Sequence, residues 1–206
     1  MRVAIVGGTG AFGRALARRL HRLGTEVAVG SRDARRGRER GLELGVEGGS
    51  NEDVVRGADL VVLAVKSDAT IATGRELADA IGETPVLCVA SDLSFTDDGV
   101  LPGRATISLA EELAEAIHAP VASGLQSLAA VELGGQELPE QDALICGDDP
   151  RAKGPALELA SKLVAGRALD VGPLANSRAL EAMTAVILNL NKRFHAHAGV
   201  RITGLP

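Results

Sequence analysis

A glycine-rich turn within the first thirteen residues constrains the fold of this chain more than any other feature. An apolar strand, Val3 to Val6, runs into Gly8-x-Gly10-x-x-Gly13, and an amphipathic helix follows at once. In dinucleotide-binding folds the first glycine permits a tight turn, the second lets the backbone approach a pyrophosphate, and the third lets the helix pack on the strand. The helix N-terminus adds free N–H groups and a partial positive charge. The pattern therefore predicts a dinucleotide site.

The end of the second strand indicates which dinucleotide is bound. This strand, Glu26 to Gly30, is followed by Ser31 and Arg32, about twenty residues beyond the glycine turn, where NAD-binding proteins usually carry an acid for the ribose 2′-OH. Positions 30 to 32 hold no acid, and Arg36 follows one helical turn later. Since a guanidinium can make two charge-assisted bonds to a phosphate, the sequence predicts NADP. Arg38 and Arg40 are expected to be solvated.

Composition restricts the partners of the chain. Its 206 residues carry a net charge of −5 and include no Trp or Tyr. Aromatic platforms for nucleic-acid bases are therefore scarce, and nucleic acids and anionic membranes are disfavoured as partners. Apolar runs such as 60–65 fall far short of the roughly twenty residues that span a bilayer. We expect a cytoplasmic protein with no nucleic-acid or membrane partner. Cys88 and Cys146 lie in apolar, strand-like segments and are expected to be buried, reduced thiols.

Strands and helices alternate along the chain, which is typical of α/β proteins. We predict a doubly wound (Rossmann) parallel sheet with a small helical C-terminal extension, divided into a dinucleotide-binding domain over 1–168 and the extension over 169–206. The predicted strands lie at 3–6, 26–30, 59–65, 85–90, 120–123, 142–146 and 169–171. The predicted helices lie at 14–23, 51–56, 70–81, 108–117, 151–164 and 175–194.

The residues that follow the strands define the expected ligand edge. Ligands of open parallel sheets bind at the carboxyl ends of the strands, so the segments 65–67, 90–92 and 124–126 should surround a nicotinamide. Lys66 and Gln126 are the polar candidates there. The sequence carries no nucleophile–base motif, and His195 and His197 lack the further ligands of a metal site. We therefore expect hydride chemistry, which the cofactor performs and the protein orients, and we assign no catalytic residue.

Five segments resemble a known family, the NADPH-dependent reductases of the 8-hydroxy-5-deazaflavin coenzyme F420. They are GGTGAFG (7–13), VGSRD (29–33), ICGDDP (145–150), LDVGPLANSR (169–178) and AHAGVRITG (196–204). The resemblance implies a homodimeric enzyme that moves hydride between nicotinamide C4 and deazaflavin C5. By the same resemblance, the pyrophosphate turn is formed by Thr9, Gly10, Ala11 and Phe12. The 2′-phosphate site is formed by Ser31, Arg32 and Arg36. The nicotinamide contact is formed by Val65 and Ala130.

The segment after the fifth predicted strand departs from the family pattern. Members often read A-L-H-T-x-P-A there, whereas this chain has Gln126 and Ala129 in place of the His and Pro, and Lys66 where relatives often carry Pro. Gln can donate and accept hydrogen bonds but does not titrate near neutral pH. Two alternatives stay open: an NADPH-dependent reductase of a flavin, an imine or a ferric chelate, and a non-catalytic NADP(H)-sensing protein. Small residues at 123, 124, 129 and 130 favour an open second pocket, and hence an enzyme.

The last predicted helix suggests a dimer. It carries an apolar stripe at helical spacing, and the tail over 198–206 is too short to add a second covering layer. Burial against a symmetry-related copy is the usual solution, so we predict a homodimer. The stripe comprises Leu180, Met183, Thr184, Ile187, Leu188 and Asn191.

Overall fold

A computed structural model describes residues 1–103 and 106–205. Within these ranges, ten strands and eight α-helices follow one another in mainly alternating order. The strands are β1 (Arg2–Val6), β2 (Glu26–Ser31), β3 (Glu47–Ser50), β4 (Leu60–Leu63), β5 (Val86–Cys88), β6 (Leu93–Thr96), β7 (Gly99–Pro102), β8 (Val121–Gly124), β9 (Ala143–Gly147) and β10 (Ala168–Asp170). The helices are α1 (Ala11–Arg22), α2 (Ala34–Leu44), α3 (Asn51–Val55), α4 (Ser67–Ile81), α5 (Leu109–Ala116), α6 (Ala130–Gly134), α7 (Pro150–Leu163) and α8 (Ser177–Phe194).

Eight of the strands form one sheet in the order β10-β9-β8-β5-β4-β1-β2-β3. All neighbours pair in parallel except β8 and β9, which are antiparallel. Apolar side chains cover both faces: Leu16 of α1 and Leu159 of α7 belong to one core cluster, and Leu77 of α4 and Leu113 of α5 belong to the other. The predicted doubly wound fold is therefore confirmed. The 1–168 and 169–206 division stays a prediction, with β10 lying at that boundary.

Five elements, α2, β3, β6, β7 and α6, have no counterpart in the predicted strands and helices. The strand β3 reads Glu-Gly-Gly-Ser and lacks an apolar signal because α2 packs directly on its backbone: a Cβ at Gly41 would lie 2.7 Å from the Gly48 nitrogen. The antiparallel hairpin β6–β7 has mostly exposed side chains, and α6 has only five residues. Short or exposed elements leave little periodicity in a sequence.

The C-terminal tail folds back on the sheet. The Asp142 nitrogen donates to the Val200 carbonyl at 2.7 Å, and the Ile202 nitrogen donates to the Asp142 carboxylate at 2.8 Å. Val200 and Ile202 thereby join Leu180 and Met183 in a small apolar cluster. The expectation that the tail cannot cover the stripe of α8 is wrong, because part of that stripe is already buried within the chain.

A different face of α8 stays exposed. Val186, Leu190 and Phe194 are 58%, 41% and 65% exposed, and they follow one another at intervals of four residues on the same side of the helix. No helix in the described part of the chain is long and apolar enough to cross a membrane. Cys88 and Cys146 are buried and unpaired, which confirms the prediction for the thiols.

Candidate functional site

The glycine turn between β1 and α1 is held by close backbone contacts. Gly7, and not Gly8, takes the left-handed conformation, with φ of +86°, and a Cβ there would lie 2.5 Å from the Ala64 carbonyl oxygen. Gly8 is needed for another reason, since its Cβ would lie 2.7 Å from that of Val29 in β2. A Cβ at Gly13 would lie 2.6 Å from the Gly7 oxygen. The packing role predicted for Gly13 is confirmed, and the turn role passes from Gly8 to Gly7.

The N-terminus of α1 is open to a ligand. Gly10 is its N-cap and supplies no side chain to accept from the first-turn N–H groups. Gly10 and Ala11 are exposed, Thr9 is half-exposed and Phe12 is half-buried. A helix start without a capping side chain leaves N–H donors and a partial positive charge available to an anion. These four residues fit a pyrophosphate, which is the group that the sequence predicts here.

The end of β2 lies next to this turn, because the Gly8 nitrogen donates to the Gly30 carbonyl at 3.2 Å. Ser31 accepts a hydrogen bond from the Asp33 nitrogen at 3.3 Å, which leaves the hydroxyl proton of Ser31 free to donate. Asp33 is the N-cap of α2 and accepts from the Arg35 and Arg36 nitrogens at 2.9 and 3.3 Å. The carboxylate of Asp33, the acid nearest the predicted phosphate site in sequence, thus accepts hydrogen bonds from the backbone of α2.

Two arginines close to Ser31 in sequence have no acidic partner among the described residues. Arg32 and Arg36 are exposed, and neither forms an ion pair in the part of the chain that the structure describes. The neighbouring arginines differ: Arg35 pairs with Glu39 at 3.4 Å, and Arg40 pairs with Glu43. Guanidinium groups that lack an acidic partner are available to a phosphate. The structure therefore brings Ser31, Arg32 and Arg36 together at one end of the glycine turn.

The other end of the turn meets β4. The Ala64 nitrogen donates to the Val6 carbonyl at 2.9 Å, and Val65 lies so close to the turn that a Cβ on Gly7 would be 3.0 Å from its methyl group. Lys66 is exposed and precedes α4, and its carbonyl oxygen accepts from the Thr70 hydroxyl at 3.0 Å. The predicted nicotinamide contact Val65 thus lies beside the pyrophosphate turn.

A polar network joins the carboxyl ends of β5 and β8 to α8. The Ser91 and Thr184 hydroxyls are 3.0 Å apart, and Thr184 donates to the backbone carbonyl of Gln126 at 3.4 Å. The Gln126 side-chain nitrogen donates to the Ser123 hydroxyl at 2.7 Å. Ala130 begins α6 just beyond and is half-buried. Sequence reasoning named Gln126 and the segment of Ser91 but treated Thr184 as part of an apolar stripe; a hydroxyl within that stripe was the available signal.

A cleft of about 180 Å³ lies elsewhere, along the C-terminal tail, and contains none of the predicted cofactor contacts. Its lining is Glu132, Glu140, Gln141, His197, Gly199, Val200 and Arg201. The arrangement around the glycine turn instead forms an open edge that runs from β2 past β1 to β4, β5 and β8, where ligands of doubly wound sheets bind.

Comparisons with known proteins agree with this geometry. The family described as "NADP oxidoreductase coenzyme F420-dependent" matches residues 2–91. The chain is 32% identical to the F420-dependent NADP reductase of Methanothermobacter thermautotrophicus, with 100% of this chain and 96% of the relative covered. It is 33% identical to that of Methanothermobacter marburgensis, with 100% of both covered.

A solved structure has the same fold. A candidate F420-dependent NADP reductase from Arthrobacter sp. FB24 matches with a TM-score of 0.85 at 24% identity, over 99% of this chain and 100% of that one. The full-length identities above 30% to curated relatives, together with the nucleotide-binding edge, place this chain in the family of F420-dependent NADP reductases.

Proposed function

We propose that this protein is an enzyme that transfers hydride between NADP(H) and the deazaflavin coenzyme F420. The full-length match to curated F420-dependent NADP reductases carries the proposal. The open edge of the sheet supports it. An uncapped helix N-terminus lies where the diphosphate of NADP would lie, and two arginines without an ion pair among the described residues lie where its 2′-phosphate would lie.

The residues of this edge would divide the work as follows. Thr9, Gly10, Ala11 and Phe12 hold the diphosphate through backbone N–H groups, and Ser31, Arg32 and Arg36 hold the 2′-phosphate. When bound, the nicotinamide supplies or accepts the hydride. Val65 and Ala130 flank the nicotinamide, and the ends of β5 and β8 face the deazaflavin. In such chemistry the protein contributes orientation and exclusion of water.

An assay of the purified protein tests the activity. With NADPH, we expect the visible absorbance of oxidised F420 to disappear mole for mole with NADPH, and the reverse reaction to run with reduced F420 and NADP+. FMN, FAD and a ferric chelate serve as alternative acceptors. Tight NADPH binding without an F420-dependent absorbance change in either direction would falsify the proposal. Turnover with one of the other acceptors would then identify a reductase of that compound.

A substitution at Ala130 tests the assigned nicotinamide edge. Hydride transfer requires the two reacting carbons at about 3–3.5 Å, and a displacement of an ångström can cost about 100-fold. We expect Ala130→Leu to lower kcat/KM for F420 by about that factor while the protein stays folded. Val131, the next residue of α6, is 56% exposed, so Val131→Leu is the matched control and should retain activity. Equal activity of both variants would remove Ala130 from the site.

We also propose that two copies pair through α8. The exposed row of Val186, Leu190 and Phe194 supports this pairing, because a symmetric contact would bury it against the same row of the second copy. The hairpin β6–β7 adds the exposed Phe95 and Leu101 close to the same helix. In this proposal residues 1–168 bind the dinucleotide, and residues 169–206 supply both α8 and the dimer contact.

A further inference from the structure

Two polar groups of Gln126 form hydrogen bonds within the protein. Its backbone carbonyl accepts from Thr184, and its side-chain nitrogen donates to Ser123 at 2.7 Å. Thr184 is in turn bonded to Ser91 on the neighbouring strand end. Ser123 is fully buried. The side chain of Gln126 is thus bonded to Ser123 of β8, while its backbone is linked through Thr184 of α8 to Ser91, which follows β5.

The side-chain oxygen of Gln126 is buried and has no hydrogen-bond partner among the described residues. A buried acceptor without a donor is costly, and native proteins usually satisfy such groups. The residue as a whole is only half-buried. Rotation about its side-chain bonds, which exchanges the bond to Ser123 for one to a ligand, can turn the oxygen outward toward the open edge of the sheet.

The turn that carries Gln126 is strained as well. Leu125, the preceding residue, has φ of +68° and is buried. A bulky residue in the left-handed region is an outlier, and such strain collects at ligand sites where the surrounding structure maintains it. Two unfavourable features, the backbone of Leu125 and the unsatisfied oxygen, thus coincide at the carboxyl end of β8.

We infer that Gln126 is a specificity-determining residue whose side-chain oxygen accepts an N–H hydrogen bond from a bound substrate. The donor class is an amide N–H, which both candidate molecules offer: the carboxamide of the nicotinamide and the pyrimidinedione ring of the deazaflavin. On binding, the side chain turns outward and the acceptor gains the partner that it lacks in the free protein. This inference rests on the proposed function and adds the side chain that recognises the substrate, Gln126.

Binding measurements with the Gln126→Leu variant test the inference without turnover. The first arm compares the Kd of NADP+ with that of its 3-acetylpyridine analogue, in which a methyl group replaces the carboxamide NH2. The second arm measures the Kd of F420 by its fluorescence. One hydrogen bond corresponds to about a fivefold to tenfold change in affinity. Gln136 is an exposed loop residue without a side-chain bond in the described structure, so Gln136→Leu is the control.

If the nicotinamide is the donor, we expect the wild-type protein to bind NADP+ more tightly than the analogue by that factor. Gln126→Leu should then lose this preference. If the deazaflavin is the donor, the preference stays and F420 affinity falls by the same factor. Either result supports the inference. An unchanged preference together with unchanged or absent F420 binding overturns it. Absent F420 binding with a lost preference would contradict the proposed activity but not the role of Gln126.

The melting temperature separates this role from a structural one. Gln126→Leu removes both an unsatisfied buried oxygen and the hydrogen bond to the buried Ser123. These two changes oppose each other, so we expect a Tm close to that of the wild type despite weaker binding. A lowered Tm with unaltered ligand discrimination would show that Gln126 only supports the fold. Gln126→Glu keeps an acceptor oxygen at the same place and should retain most of the discrimination even if the leucine variant folds poorly.

Discussion

At the scale of single residues, charge without a partner is the most informative feature of the nucleotide edge. Arg32 is exposed and free of ion pairs among the described residues, whereas Arg35 and Arg40 of α2 are paired with Glu39 and Glu43. Ser31 adds a hydroxyl proton that no described acceptor takes. This pattern favours a dianionic ligand at the start of α2.

Arg32→Ala should weaken NADPH binding by about 10- to 150-fold, the equivalent of roughly 1.5–3 kcal/mol for a charge-assisted bond. NADH binding should hardly change, because NADH has no 2′-phosphate. Isothermal titration calorimetry with both cofactors measures this difference. Arg38→Ala, a change at an exposed arginine of α2, is the control and should have little effect. Equal loss of both cofactors in Arg32→Ala would make Arg32 a structural residue.

The two cysteines give a second prediction at this scale. Burial raises the pKa of the Cys88 and Cys146 thiols to about 12 each, and only the thiolate reacts readily with disulfide reagents. We expect neither thiol to react with a thiol-specific chromogenic disulfide in the native protein at neutral pH, and both to react at once in denaturant. Rapid reaction of the native protein would show that at least one of the two thiols becomes exposed to solvent far more often than its burial indicates.

At the scale of elements, the C-terminal tail depends on one buried carboxylate. Asp142 is almost fully buried and accepts from the Arg167 side chain at 2.9 Å and from the Ile202 nitrogen. The hydrogen bonds from the Arg167 side chain and from the Arg167 and Ile202 backbones hold the pKa of Asp142 far below its usual value. This carboxylate therefore joins β9, the start of β10 and the tail.

The sign of the resulting pH dependence follows from that lowered pKa. The stabilisation is fully present above the pKa of Asp in the unfolded chain, about 3.9, and is lost as the pH falls toward the lower folded value. We expect the free energy of unfolding to decline below about pH 4. Asp142→Asn should cost about 1.5–3 kcal/mol near neutral pH and flatten the decline. Denaturant titrations across this range provide the measurement.

The control for this prediction is Asp97→Asn, because Asp97 lies exposed in the turn between β6 and β7. It should change neither the stability at neutral pH nor the slope in acid. If Asp142→Asn behaved like Asp97→Asn, the tail would be held by the apolar contacts of Val200 and Ile202 alone.

At the scale of the whole molecule, the exposed face of α8 predicts the oligomeric state. Sedimentation equilibrium at micromolar concentration should show a dimer. The double variant Val186→Glu and Leu190→Glu should be monomeric, because two acidic side chains from each copy would be buried next to each other. Leu42 of α2 is 83% exposed, so Leu42→Glu is the control and should stay dimeric. A monomeric wild-type protein would contradict the proposed contact.

Much of the nucleotide edge could be predicted from the sequence because its signals are local. The strand Val3 to Val6, the glycine spacing and the position of Ser31 and Arg32 all depend on short stretches of chain, and the structure places them together as expected. Alternating apolar segments likewise predict a doubly wound sheet. The cofactor contacts themselves, the dimer and the location in the cell stay predictions.

Other features depend on contacts between distant residues and carry no local signal. Arg19 belongs to a basic stretch of α1, yet it is buried and donates to the carbonyls of residues 132, 133, 135, 136 and 137. No periodicity in α1 distinguishes it from the exposed Arg18. Only the packing of α6 against α1 turns this arginine inward.

The sequence by itself determined the fold class and the glycine-rich turn, because backbone conformation and apolar periodicity act over a few residues. The tertiary structure alone decided that Gly7 makes the left-handed turn, that α8 buries one stripe and exposes another, and that Thr184 meets Gln126. Each of these outcomes depends on packing between segments that are dozens of residues apart in the sequence. Because such packing is decided only in the folded chain, no short stretch of sequence predicts it.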